Sequence, residues 1–168
     1  MNGLDRRLAL LLAAREERWA KRQAYSGQFP ALLSATACIP MPLRTDAAVE
    51  RWFSRAVDRT LAFLEGEGLS PAVLERASGP DGPWLMAGFS QPPRLLKGYC
   101  VRGEETFPDG RLLDLDVTAP GGEAVSRRDL GLPPRRCLLC GRPAAECSSR
   151  GLHPREEVLA RVRELLDL

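Results

Sequence analysis

The sequence predicts an α+β fold: a single mixed sheet flanked by helices, with an irregular cysteine-rich segment and a C-terminal helix. Three observations carry this expectation. Segments with a 3.6-residue apolar period and short strand-like runs both occur, without the strict alternation of a doubly wound sheet. Turn residues bracket the strand-like runs. The stretch 126–151 keeps no period and is rich in Pro, Gly, Arg and Cys. A chain of 168 residues fits one domain, taken as residues 1–168, with 135–153 a Cys-rich irregular segment inside it.

A first helix is expected from about Gly3 to Ala24, where Leu4, Leu8, Leu11, Leu12 and Trp19 fit one face. The run RRLALLLAA resembles the start of a signal peptide, but REER follows where a polar region and a small-residue cleavage site belong. FPALLSATACIPMP reads as a strand stopped by Pro40 and Pro42. Val49, Trp52, Phe53, Ala56, Val57, Leu61 and Leu64 then keep a helical period with charges between them. AVLERASGPDGPWLMAGF reads as a hairpin turned by Gly79, Pro80, Asp81 and Gly82. PPRLLKGYCVRGEE is expected to start a helix at its prolines, although Gly98 and Gly103 oppose it.

GRLLDLDVTAP is a strand, bounded by PDG before and PGG after. Ser126–Gly151 is expected to be irregular and therefore to need a cross-link or a function to hold it. Pro154 suits the first turn of a last helix, with Val158, Leu159, Val162, Leu165 and Leu166 as its apolar stripe.

Composition narrows the function classes. The net charge of +2 is too small to imply a nucleic-acid partner. No run is long enough to span a membrane. Five cysteines, an odd number, fit a reducing compartment better than a disulfide framework, so a cytoplasmic location is expected.

Two groups of residues carry candidate chemistry. Asp114 and Asp116 stand two apart on a strand and so share a face, while Leu113, Leu115 and Val117 take the other. Two carboxylates at that spacing repel each other unless a cation sits between them, and Mg²⁺ takes carboxylates together with substrate phosphates. Arg111 precedes the pair and Arg127 and Arg128 follow it, and arginine forks suit phosphate oxygens. The plainer alternative is a solvated face whose acids and arginines neutralise one another.

The second group lies in RRCLLCGRPAAECSSRGLH, which contains the only histidine of the chain. Cys137 and Cys140 form a CxxC, and Cys147 and His153 can complete a Cys₃His zinc site of structural type. Metal would also hold the shape of a segment with little other means of doing so. A redox pair lacks the preceding βαβ pattern, and thiols packed as small apolar groups are the remaining alternative. Cys38 and Cys100 are placed in core elements and given no role.

GRLLDLDV, SRRDLGLPPRRCLLC and the downstream Cys147 and His153 resemble the apo-citrate lyase phosphoribosyl-dephospho-CoA transferase family, also called citrate lyase holo-acyl-carrier-protein synthase. The likeness runs from about Arg15 to the final helix. It includes Arg18, Arg22, Gln23, Ser34, Thr36, the SGPDG turn, Lys97, Glu104 and Pro108. One stretch departs: where the family pattern has Pro-Gly-Pro-x-Lys, this chain has PMPLR, with Met41 for the glycine and Arg44 for the lysine. A glycine lets backbone approach phosphate closely, whereas Met41 hinders it.

The resemblance implies a substrate, a reaction and a partner. The substrate is 2′-(5″-triphosphoribosyl)-3′-dephospho-CoA, joined to a serine of the citrate lyase acyl carrier (gamma) subunit with loss of pyrophosphate. Asp114 and Asp116 would hold catalytic Mg²⁺, with Lys97, Arg111, Arg127 and Arg128 as ligands for the triphosphate. Glu104 and His153 are candidates for the base. Basic clusters at Arg127–Arg128, Arg135–Arg136 and Arg142 offer a docking surface for an acidic carrier. The alternative from another class is a zinc-stabilised protein- or RNA-binding module in which the acids are surface charge.

Overall fold

The computed structural model describes residues 3–41 and 43–166. Pro42 lies outside them, as does the side chain of Leu4. The described elements are α1 (Gly3–Ser26), β1 (Ala31–Ala37), α2 (Ala47–Gly66), β2 (Ala72–Gly79), β3 (Gly82–Phe89), α3 (Pro93–Thr106), β4 (Leu113–Thr118), β5 (Ala124–Val125), α4 (Ala144–Arg150) and α5 (Arg155–Leu165).

One sheet, ordered β2-β3-β1-β4-β5, joins all the strands, and every neighbouring pair is antiparallel. The α+β class is as expected, but the sheet is not mixed. The reason is topological. Strands β1 and β2 run in the same direction with helix α2 crossing between them, and the hairpin returns β3 into the gap. Strands β3 and β4 likewise run in the same direction, joined through α3, with β1 between them. Each helical crossover therefore skips one strand, which is the split βαβ arrangement.

Strand alternation separates two faces. Leu33, Ala35 and Ala37 of β1 and Leu113, Leu115 and Val117 of β4 point into the main core, where α2, α3 and α5 cover them. Burying one such leucine contributes about 1.5–3 kcal/mol. The predicted stripe of α2 is buried as read, from Val49 to Leu64, and Asp46 caps the helix by accepting from the Ala48 N–H at 2.8 Å. Within the α5 stripe, Val162 and Leu166 are buried and Leu165 packs beside them.

The opposite face carries a smaller cluster of Leu32, Trp84 and Met86, with Tyr25 of α1 and Leu74 of β2 against it. Helix α1 docks here through its C-terminal half. Arg18 pairs with the buried Asp81, and Lys21 pairs with Glu75. The expected apolar stripe of α1 is not what attaches it: Leu8, Leu12 and Trp19 are each at least 50% exposed. The ion pairs and Tyr25 hold the helix instead.

Local chemistry explains the junctions. Gly82 closes the β2–β3 turn at φ +101°, and a Cβ there would meet Arg44 at 2.6 Å. Gly110 lets the chain entering β4 pass the end of α3, since an added Cβ would lie 2.5 Å from the Glu104 carbonyl oxygen. Asp109 accepts from Trp52 Nε1 at 2.7 Å and pairs with Arg59, which ties that entry to α2.

The segment 126–151 is more ordered than its composition suggests. It contains a bridge between Arg136 and Pro143 and the short helix α4, ended by Gly151 at φ +57°. Seven residues without a broad apolar stripe leave no period to detect. Cys38 is exposed just beyond the end of β1, so its expected core position is corrected; Cys100 is buried in α3 as expected.

Candidate functional site

Strand β5 is only two residues long and pairs with Val117 and Thr118 alone. The outer edge of β4 is therefore open from Leu113 to Asp116, and its carbonyls need other donors. Lys97 of α3, itself buried, donates from Nζ to the Leu115 oxygen at 2.6 Å. Arg135 donates to the Leu113 oxygen. Two cations are thus drawn to the edge of the strand that carries Asp114 and Asp116.

These groups line one cleft of about 740 Å³, together with Glu104, Arg127, Arg128 and the loop 124–134. Asp114 is half-exposed and lies 3.5 Å from Arg135. Asp116 opens into the cleft and has no ion pair among the described residues. Desolvation by the cleft walls, and then the Asp114 charge, push its carboxyl above the ordinary value of 3.8, with Lys97 and Arg22 opposing. A raised, unpaired carboxyl beside a second carboxylate is a place where a cation would relieve repulsion.

Glu104 is buried at the back of the cleft, where Arg127 binds it at 2.9 Å and Arg135 approaches to 3.6 Å. Arg127 also reaches Glu105 at 3.0 Å. Burial acts against the Arg127 charge, but its bonds to Glu104 and Glu105 outweigh it, so the guanidinium is held above its ordinary range. Arg128 is exposed in the cleft and has no carboxylate partner among the described residues.

Five of the six expected cleft residues come together here: Asp114, Asp116, Lys97, Arg127 and Arg128. Arg111 does not. It sits in the tight turn before β4, donates to the Arg136 oxygen, and lines the two neighbouring pockets. Burial, and then the Arg135 charge, push its pKa down. Arg135 takes the place expected of Arg111. In the sequence Arg135 is legible only as part of a basic cluster, because nothing local aims a loop residue at a strand edge twenty-odd positions away.

The cysteine segment forms a second centre. The ligand atoms of Cys137, Cys140, Cys147 and His153 all lie within 4.8 Å of one another. Cys140 Sγ is 3.6 Å from Cys147 Sγ and 3.4 Å from His153 Nε2. A tetrahedral ion with Zn–S near 2.3 Å and Zn–N near 2.05 Å places such atoms about 3.8 and about 3.6 Å apart. Burial pushes the Cys137 thiol up, but the Leu139 and Cys140 N–H groups and the adjacent thiols bring it down to about 7. Burial, and then hydrogen bonds with Cys140 and Cys137, push Cys147 up to about 12. A metal ion would replace those shared protons. The cluster can hold a metal. His153 lines the pocket beside it and not the carboxylate cleft.

Carboxylates and cations converging on one cleft can hold a polyphosphate with a divalent cation, the equipment of transferases that act on phosphorylated groups. A sequence profile described as apo-citrate lyase phosphoribosyl-dephospho-CoA transferase matches residues 6–168. A relative of that name from Shigella flexneri serotype 5b (strain 8401) is 40% identical over 161 residues, covering 94% of this chain and 86% of the relative. Another, from Escherichia coli O157:H7 (strain EC4115 / EHEC), is 39% identical with the same coverage. The chain belongs to the apo-citrate lyase phosphoribosyl-dephospho-CoA transferase family and is an enzyme of that transferase class. Among the described residues, no helix is long and apolar enough to cross a membrane.

Proposed function

We propose that the chain attaches the citrate lyase prosthetic group to a serine of the apo acyl carrier (gamma) subunit, using 2′-(5″-triphosphoribosyl)-3′-dephospho-CoA and releasing pyrophosphate. The observation that carries this reading is the Asp114–Asp116 pair inside a cleft edged by Lys97, Arg127, Arg128 and Arg135. Family membership supports the substrate class, and it displaces the alternative of a binding module without catalysis.

In this reading the serine Oγ attacks the phosphorus attached to the ribosyl 5″-oxygen. The new P–Oγ bond forms as the bond to the β-phosphate oxygen breaks, and pyrophosphate leaves with that electron pair. Asp114 and Asp116 would hold Mg²⁺, which stabilises charge on the departing pyrophosphate. Lys97 spends one donor on Leu115 and keeps two for phosphate. Arg128, exposed and without a carboxylate partner among the described residues, takes outer phosphate oxygens. Glu104, clamped by Arg127 and Arg135, anchors those cations. The serine proton leaves to solvent or to the departing pyrophosphate.

A structural Zn²⁺ at Cys137, Cys140, Cys147 and His153 completes the proposal, on the fit of the sulfur and nitrogen separations to a tetrahedral ion. Free thiols throughout support a cytoplasmic setting. The direct test supplies the purified chain with apo carrier, the triphosphoribosyl precursor and Mg²⁺. Pyrophosphate release with a matching carrier mass increase is the expected outcome; neither appearing with a competent carrier would reject the assignment.

A further inference from the structure

The sheet face that carries Asp116 has a second concavity. Arg15, Arg18 and Arg22 recur along one side of α1, and with Trp19 and Ser34 they line a pocket of about 320 Å³. Ser34 stands opposite Asp116 in the β1–β4 register. Arg22 is near enough to act on the Asp116 carboxyl. This pocket therefore adjoins the carboxylate cleft from the β1 side, while Arg127, Arg128 and Arg135 flank it from the open edge.

The charge here is not balanced from within. Arg18 is committed to Asp81, but Arg15 and Arg22 form no salt bridge among the described residues, Arg22 acting on Asp116 only at a distance. Arg44 adds a further positive charge near the same group: desolvation lowers its pKa first, and Arg15 and Arg18 lower it further while Cys38 and Asp81 oppose them. Like charges gathered around one hollow repel unless an anion joins them. Trp19 stands beside them 57% exposed, an aromatic surface open to a planar ligand. None of these residues belongs to the carboxylate cleft.

We propose that this pocket is a second anion subsite, which takes the diphosphate of a nucleotide arm and lays its base on Trp19, while the triphosphate is held at Asp114 and Asp116. The identity of the arm rests on the proposed transfer. In dephospho-CoA a diphosphate joins adenosine to pantetheine, away from the added ribosyl triphosphate, so one substrate presents two separate anionic groups. Two cationic poles on either side of a carboxylate pair match that division.

Dephospho-CoA, which lacks the ribosyl triphosphate, isolates the second group. Titrated calorimetrically into the full chain without added Mg²⁺, it should bind and quench tryptophan emission, and Trp19→Phe should abolish the quench. Loss of two charge-assisted contacts in Arg15→Ala/Arg22→Ala should weaken binding roughly tenfold or more. Circular dichroism checks that this variant stays folded. ADP should bind more tightly than AMP, and Asp114→Asn should leave dephospho-CoA affinity as it was. No binding, equal affinity in the double variant, or loss of binding in Asp114→Asn would each overturn the subsite. If pyrophosphate release fails while arginine-dependent binding persists, the transfer reading falls and the subsite stands.

Discussion

In its proposed role Asp116 sets stability against function. Its raised carboxyl means that the native chain holds a proton where the unfolded chain has already released it. Stability from this group is therefore greatest at low pH and falls as pH rises from the ordinary value of 3.8 through the raised one. Without Mg²⁺ at neutral pH, Asp116→Asn should melt at the same temperature as the parent or slightly higher. In transfer it should lose roughly a hundredfold or more, an electrostatic-scale effect, and Asp114→Asn should do likewise. Thermal melts with and without Mg²⁺ should also show the parent gaining from the ion and the Asn variants gaining nothing. A markedly lower melting temperature for Asp116→Asn, or near-normal transfer by either variant, would remove the pair from the proposed metal role. The shared direction of these two side chains was legible, because alternation along a strand needs no knowledge of its neighbours. Arg135 lines the cleft where Arg111 was expected, because a loop and a tight turn set their aim, and neither has a period.

At the scale of elements, the segment 135–153 joins the two centres. The cysteine cluster holds the turn that follows Arg135, and Arg135 caps β4 and approaches Asp114 and Glu104. With the proposed zinc bound there, its removal should loosen both. Elemental analysis of protein purified without added zinc or chelator is expected to give about one zinc per chain. Cys140→Ser should lose that zinc, lower the melting temperature, and reduce transfer by roughly tenfold or more through Arg135, since misplaced positioning groups cost that much. Zinc-free protein with unchanged melting and activity would show that these thiols pack without an ion. The gathering of the three cysteines and His153 was legible from their spacing, whereas α4, which presents Cys147, was not: a seven-residue helix is too short to display a stripe. Helix α1 shows the converse. Its apolar spacing is helical, yet those residues stay largely exposed and ion pairs to Asp81 and Glu75 determine how it docks.

For the molecule as a whole, the exposed arginines around the cleft bear on how a protein partner arrives. Arg128, Arg136 and Arg142 are exposed, and an acidic carrier would be drawn to them with a salt-dependent rate. Arg142→Glu is expected to raise the KM for apo carrier several-fold at low salt, with the difference shrinking at high salt and the nucleotide KM unchanged. An unchanged carrier KM at low salt would exclude Arg142 from docking. The α+β class, the main helices and strands, the shared face of Asp114 and Asp116 and the grouping of the cysteines with His153 followed from the sequence by itself, because periodicity, turn chemistry and short-range spacing are local properties. Sheet order and strand direction were decided only in three dimensions. Each crossover helix leaves a gap of one strand, and which strand fills it depends on packing between distant segments. The cleft has the same origin: β5 is too short to cover β4, and the open edge recruits Lys97 and Arg135 from opposite sides in sequence to satisfy its carbonyls. No local pattern encodes an unpaired edge, so the cations that complete the site became visible only when the sheet was assembled.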